Sequence, residues 1–300
     1  MARARLRRRP PVLLAAVAAA ALSALAALAR VARGDDGPWR VVFEDDFVSP
    51  TLNASAWRVA NNKTHGDREP QLYLADEVYV EAGNLVVRTQ VRDAPYGPNK
   101  TYRFTSGWVD TAGLVQVEFG KIEARIKAPR EVPNIWPTFW TISDLFPHCW
   151  PSGGEIDILE RVGGFRNNAV FSTYHWGQVC DVDDWDNDLK SGEVLPPPGQ
   201  RWSDDFHNYT LYLNATTITW AVDGVPFVSR VAGQPADLFV PSWQLYAILN
   251  VAISPYVGPQ PTPTEGFPTY MLIDRVTWSE WAGASSGPGM YPIPVGPPPS

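Results

Sequence analysis

The sequence predicts an all-β protein built as a two-sheet sandwich or a barrel. Three observations carry that expectation. Apolar residues alternate with period two through most of the chain after residue 37. Turn formers are dense, with 29 Pro and 23 Gly in 300 residues. No amphipathic helical stretch of twelve residues stands outside the apolar start of the chain. Hydrophobic residues at 45 %, with 13 Trp and only 19 % charge, exclude a coiled coil or a disordered acidic chain and suffice to bury a core.

The elements follow in order. Arg40–Phe47 reads as a first strand. Val78–Val80 and Leu85–Thr89 read as two more around the turn Ala82-Gly83-Asn84. Val115–Ala128 continues the alternation with a break at Gly120. Ala169–His175, Tyr209–Asn214, Thr217–Val222 and Phe227–Val231 come next, the last two flanking the hairpin signal Asp223-Gly224-Val225. Leu245–Ile253 and Met271–Trp281 close the set. No repeat of 20–50 residues is visible, which argues against a solenoid or propeller.

Residues 1–33 have the layout of a signal peptide, or of a signal anchor if left uncleaved. Arg3, Arg5, Arg7, Arg8 and Arg9 precede an apolar run from Val12 to Ala29 that ends in Ala27-Leu28-Ala29, a small-x-small cleavage pattern. Removing those five arginines takes the formal charge from −7 to −12. So acidic a body repels nucleic acid and anionic membranes and suits a neutral polymer. The chain is therefore expected to be secreted, or anchored as a type II membrane protein with its folded part outside the cytosol, and to be a monomer. Five N-x-S/T sequons, at Asn53, Asn62, Asn99, Asn208 and Asn214, agree with that route. Cys149 and Cys180, the only cysteines, are expected to form one disulfide there. The folded domain is expected over 38–283, and the Pro- and Gly-rich 284–300 is expected to be a disordered tail.

The most informative stretch is Gly153-Gly154-Glu155-Ile156-Asp157-Ile158-Leu159-Glu160. On a regular strand Glu155 and Asp157 share one face and Ile156 and Ile158 the other. Glu160 falls out of phase by one residue, and a β-bulge at Ile158 or Leu159 returns it to the acidic face. A structural strand has no reason to gather three carboxylates, whereas glycoside cleavage needs a pair. The spacing favours a retaining geometry. Taken alone, the strand reads equally well as a solvated acidic edge. Trp136 and Trp140 upstream, Trp150 beside it, and His175-Trp176 downstream shift that balance toward a sugar-binding groove.

These residues resemble glycoside hydrolase family 16, in its laminarinase-like branch. Glu155-Ile-Asp157-Ile-Leu-Glu160 is similar to the family's E-x-D-x-x-E signature. Phe43–Phe47, Glu69–Tyr73, Thr105–Gly107, Phe119–Lys127, Trp136–Trp140, Phe206–Tyr209, Val222–Gly224, Leu249–Ala252 and Ile273–Val276 follow in the family's order. The resemblance implies a concanavalin-like β-jelly roll, two curved antiparallel sheets with a concave glycan-binding cleft. It implies Glu155 as nucleophile, Glu160 as acid/base and Asp157 as assistant, with Trp136, Trp140, Trp150, Arg125, His175 and Trp176 around the sugar. It also implies cleavage of internal β-1,3 or mixed β-1,3/1,4 bonds of β-glucan without a required cofactor. Transglycosylation and non-catalytic glucan recognition are alternatives on the same fold, and sulfated galactan hydrolysis is a further one against which the lack of an evident basic cluster speaks. Some relatives bind structural calcium near the first and last strands, where Glu44 and Asp274 stand. The chain departs from the family at Ser106-Gly107-Trp108, at Asp67-Arg68-Glu69 and at Ser254-Pro255-Tyr256.

Overall fold

The computed structural model describes residues 38–65, 69–143, 149–177, 179–180, 188–256 and 266–297, with side chains from 192 onward in the fourth break. The expected signal segment and the departures at Asp67 and Arg68 lie outside these residues. The chain divides into two compact units, Met1–Trp39 and Arg40–Ser300. Of the first, only Pro38 and Trp39 are described.

The strands are, in order, β1 (Trp39–Asp45), β2 (Arg58–Val59), β3 (Gln71–Tyr73), β4 (Val78–Glu81), β5 (Asn84–Tyr96) and β6 (Lys100–Ser106). Then come β7 (Trp108–Asp110), β8 (Gly120–Lys127), β9 (Ile135–Ile142), β10 (Glu155–Glu160), β11 (Val170–His175) and β12 (Asp188–Val194). The last are β13 (His207–Leu213), β14 (Thr217–Val222), β15 (Val225–Val231), β16 (Tyr246–Ile253) and β17 (Thr269–Trp281). Two short 3-10 turns, Ala75–Glu77 and Arg166–Asn168, are the helical elements among the described residues. Seven strands form one sheet in the order β12-β11-β10-β9-β16-β7-β2. Ten form the other, β15-β14-β13-β8-β17-β5-β6-β3 with β1 beside β17 and β4 beside β5. β3 and β6 run parallel, whereas the pairs among β7–β17, and those of β2 with β7, β4 with β5, β5 with β6 and β5 with β17, are antiparallel.

The period-two pattern decides what lies between the sheets. Ile122, Ala124 and Ile126 of β8 and Leu249, Val251 and Ile253 of β16 enter one buried core with Phe139, Trp220 and Trp278. Gly120 opens β8 at φ 144°, so the strand begins there, and Val115–Phe119 stand outside it with Val117 bridging to Leu245. The hairpin turn is as expected: Asp223 and Gly224 take φ 50° and 76° between β14 and β15.

The end of the chain differs from the expectation. Residues 284–297 are not a free tail but lie on the ten-stranded sheet. Tyr291 donates its hydroxyl to Leu213 O at 2.7 Å, and Asn214 donates its amide to Tyr291 O at 2.7 Å. Gly296 N donates to Ser229 Oγ at 2.9 Å. Composition misleads here because prolines have little chain entropy to lose, so a few bonds suffice to hold the segment.

The buried indole of Trp220 crosses the core and donates to Asp157 O on the other sheet, at 2.8 Å. Trp220→Phe keeps most of the ring volume and orphans that carbonyl. It is expected to lower stability by about 1–3 kcal/mol, read as a reduced urea midpoint with an unchanged slope. A midpoint equal to the parent's contradicts the assignment.

Candidate active site

Strand β10 is entered through a tight loop. A side chain at Gly153 would collide with the Ser143 carbonyl, and Gly154 sits at φ 75°, a left-handed conformation that favours glycine. Trp243 donates its indole to Gly153 O at 2.7 Å. The expected disulfide is present: Cys149 and Cys180 are bridged, with Cα atoms 5.6 Å apart, tying the loop before β10 to the segment after β11.

The bulge is present too. From Asp157 to Glu160 the strand uses three steps where β11 uses two, Thr173 to Phe171. Against β9, Asp157 pairs Trp140 and Leu159 pairs Phe139, so the extra residue is Ile158. Ile156, Ile158 and Leu159 therefore all enter the core. Glu155, Asp157 and Glu160 turn to the opposite face. Thr173, the cross-strand partner of Asp157, donates to Glu160 Oε2 at 2.7 Å, which puts Glu160 on the same side as Asp157. Ser172 donates to Ile158 O at 3.1 Å and Trp220 to Asp157 O, so carbonyls at the bulge are bonded although the ladder is broken there.

The three carboxyls have different surroundings. His175 Nε2 lies 3.2 Å from Asp157 Oδ2 and 3.8 Å from Glu155 Oε1. Burial, and next the charge of Asp157, push the Glu155 carboxyl up to about 7. His175, His65 and a hydrogen bond from the Trp150 side chain act in the opposite direction on it. Burial and Asp157 hold Glu160 well above the ordinary glutamate range, with the Thr173 hydroxyl opposing. A half-buried acid with donors around its anion thus stands one bulge away from a buried acid that retains its proton.

A second cluster flanks these acids on the same face. Asn250 Oδ1 accepts from Trp140 Nε1 at 2.8 Å and Thr138 Oγ1 at 2.7 Å, and its amide donates to Tyr73 Oη at 3.2 Å. Gln71 donates to Tyr73 Oη at 2.9 Å and to Glu69 Oε2. Trp108 crosses Trp140 edge to face at 5.5 Å, with Lys63 Nζ 3.9 Å above the Trp108 ring. His65 packs on Trp108 at 5.3 Å, and its bond to Glu69 raises its pKa despite burial. Sequence reasoning singled out none of Tyr73, Asn250 or His65 as site residues. The signal for Asn250 was there: it is the one amide in the apolar strand Tyr246–Ile253, and a buried amide is costly unless bonded.

Among the expected sugar-contacting residues, Trp140, Trp150 and His175 meet the acids. Trp150 lies 5.9 Å from His175. Trp136 is half-buried on β9, in phase with Thr138 and Trp140. Two expectations are corrected. Arg125 alternates with core residues Ala124 and Ile126 on β8 of the ten-stranded sheet, so it points away from the core on the far side from the acids. There it pairs with Asp274 and lies 4.8 Å from the Phe206 ring. Trp176 is 2 % exposed and stacks on Tyr174 inside the core at 5.4 Å, because it follows the inward phase of β11. Asn53, Asn62 and Asn99 are exposed, whereas Asn208 is half-buried in β13 and Asn214 is buried with its amide on Tyr291. Among the described residues, Glu155, Asp157 and His175 are the group of acids and histidines whose atoms converge closely enough for a metal. Asp274, named from the sequence as a position near which calcium could bind, pairs with Arg125 through Oδ2.

Comparison with known proteins agrees with this geometry. The family model described as glycosyl hydrolases family 16 matches residues 75–282. The glucan endo-1,3-beta-glucosidase A1 of Niallia circulans is 27 % identical, over 79 % of this chain and 37 % of that protein. The chain thus spans little more than a third of that relative's length. The beta-glucanase of Rhodothermus marinus is 26 % identical, over 83 % of this chain and 88 % of its own. The laminarinase catalytic domain of Thermotoga maritima superposes with a TM-score of 0.72 at 26 % identity, covering 81 % of this chain and 98 % of that one. A family model spanning β4 to β17, on a fold shared with such enzymes and with the acids of β10 turned to one face, settles the kinship: the chain belongs to glycosyl hydrolases family 16.

Proposed function

We propose that the protein is a retaining, endo-acting glycoside hydrolase that cleaves internal β-1,3, or mixed β-1,3/1,4, bonds of laminarin-type β-glucan. One observation carries the reading: two glutamates on one face, separated by a bulge and given unlike surroundings, beside indole rings on which sugar can stack. The named activities of the relatives, glucan endo-1,3-beta-glucosidase and beta-glucanase, support the choice of polymer. Secretion and a soluble glucan-degrading role are part of the same proposal. Among the described residues no helix is long and apolar enough to cross a membrane.

In the proposed reaction Glu155 attacks the anomeric carbon as its carboxylate. Trp150, His175 and His65 favour that ionised form. Glu160 gives its proton to the departing glycosidic oxygen, and a glycosyl ester on Glu155 results. Water then loses a proton to Glu160 and attacks the same carbon, which frees Glu155. Asp157 keeps both neighbouring glutamates basic enough for these transfers and, with His175 at 3.2 Å, holds the pair in line. No step calls for a metal or cofactor.

Release of reducing ends from laminarin is the primary test. Glu155→Gln is expected to reduce it to background while the folded state and glucan binding persist, and full activity in this variant contradicts the nucleophile role. Glu160→Ala is expected to lose about 10²–10⁴-fold, with azide restoring turnover of a substrate bearing an activated leaving group. An unaffected rate overturns the acid/base role.

The pH profile of kcat/KM offers a separate check. Glu155 must be ionised, so activity should fall as pH drops through about 7. Glu160 must carry its proton, so activity should fall again as pH rises past its elevated pKa. The charge of Asp157 raises both groups, and Asp157→Asn is expected to move both limbs to lower pH. Limbs that stay in place contradict this electrostatic account.

A further inference from the structure

We propose that the C-terminal segment completes a second carbohydrate-binding site, which holds a neutral oligosaccharide stretch of the same glucan away from the catalytic face. This rests on the β-glucan reading above. A cavity of about 660 Å³ lies where Val42 and Phe43 of β1, residues 115–119, Gln244, the end of β17 and residues 285–291 meet. Its size is that of ligand pockets, ~300–1,000 Å³. None of its lining residues belongs to the acidic face built around β10.

The lining has the chemistry of sugar recognition. Trp281 and Tyr291 stack on each other at 5.4 Å with planes 6° apart, and the outer face of that pair is where the C–H face of a pyranose would pack. Glu118, Glu280, Gln116 and Gln244 line the same space and supply acceptors and amide donors for hydroxyl groups. Trp278 also lines it. Its indole is 1 % exposed, and the buried Nε1 has no hydrogen-bond partner among the described residues.

Other ligand classes fit less well. The lining contains two carboxylates and neither Lys nor Arg, and with Glu280 paired to Arg40 at 2.7 Å the charge of Glu118 still disfavours an anion. A purely apolar ligand would strip water from four polar side chains and give nothing back. A neutral polyhydroxylated chain satisfies both the rings and the polar groups.

The wall is built rather than draped. Met290 N donates to Gly287 O at 2.9 Å and Ser286 N to Met290 O at 3.0 Å, closing a tight turn. Ala215 N donates to Gly289 O at 2.9 Å, and Tyr291 is held by Leu213 and Asn214. Gly289 packs against the Phe119 ring, where a side chain would not fit. A second site of this kind lets the enzyme stay on an insoluble polymer while the cleft works along it.

Calorimetric titration of the Glu155→Gln chain with a laminari-oligosaccharide tests this, beside co-sedimentation with insoluble β-1,3-glucan particles. Two binding events are expected. Glu118 and Gln244 are exposed, so Glu118→Lys and Gln244→Ala should leave the fold intact. Each is expected to weaken the second event about tenfold or more and to reduce co-sedimentation. Trp281→Ala should abolish both. In an otherwise unaltered chain, the same three changes should leave kcat/KM on short soluble oligosaccharides unchanged. A single binding event, or co-sedimentation equal to the parent's in all three variants, overturns the second site and leaves the proposed reaction standing. Absence of hydrolysis by the parent overturns the reaction instead, and the titration still reads whether the cavity takes sugar.

Discussion

One extra residue in β10 is the constraint on which the rest of the site depends. Without the bulge at Ile158, the alternation of the strand would drive Glu160 toward the core and Leu159 out of it. With it, Ile156, Ile158 and Leu159 all contribute to the buried layer, and three acids share the other face. The break in the ladder is compensated from two directions. Ser172 on the neighbouring strand binds the Ile158 carbonyl, and Trp220 reaches through the core from the other sheet to bind that of Asp157. The opposite sheet thus does more than cover the site, since it supplies a bond that fixes the strand carrying the acids.

Gathering three carboxyls is costly, and the structure offsets that cost unevenly. Glu155 receives an indole donor and the field of two histidines, Glu160 a hydroxyl donor and the field of His175 alone, with deeper burial. Unequal stabilisation is what divides one kind of side chain into two chemical roles. The flanking network of Asn250, Trp140, Thr138, Tyr73 and Gln71 is bonded within itself, so the indole of Trp140 is held in one orientation beside the acids. Trp108 stands against it edge to face, with Lys63 Nζ 3.9 Å above the Trp108 ring.

Much of this was legible in the sequence because it is local. The alternation around Glu155 and the phase slip at Glu160 pointed to the acids and to the bulge, and Asp223-Gly224 announced its hairpin. What was not legible depends on which sheet a strand joins. Arg125 and Trp140 both lie on eight-residue strands, yet β8 and β9 enter different sheets, and only the latter runs beside the acids of β10. Trp176 sits one residue after His175, and that single step sends it into the core. Tyr73 and Asn250 are far apart in the chain and meet only through sheet assembly, at 3.2 Å. The ordering of residues 284–297 escaped notice because its bonds are to backbone atoms of β13 and to Ser229, which no composition encodes.

The account stands on the two glutamates of β10 flanking one glycosidic bond closely enough that no water fits between nucleophile and sugar. Retaining enzymes hold these groups about 5–5.5 Å apart, and inverting ones about 6.5–9.5 Å. Proton NMR of the first product released from a β-glucan, taken before the anomers equilibrate, reads that geometry directly. The β-anomer should appear first. If the α-anomer leads, the bulge does not bring Glu160 to the place assigned to it, and the double-displacement scheme fails.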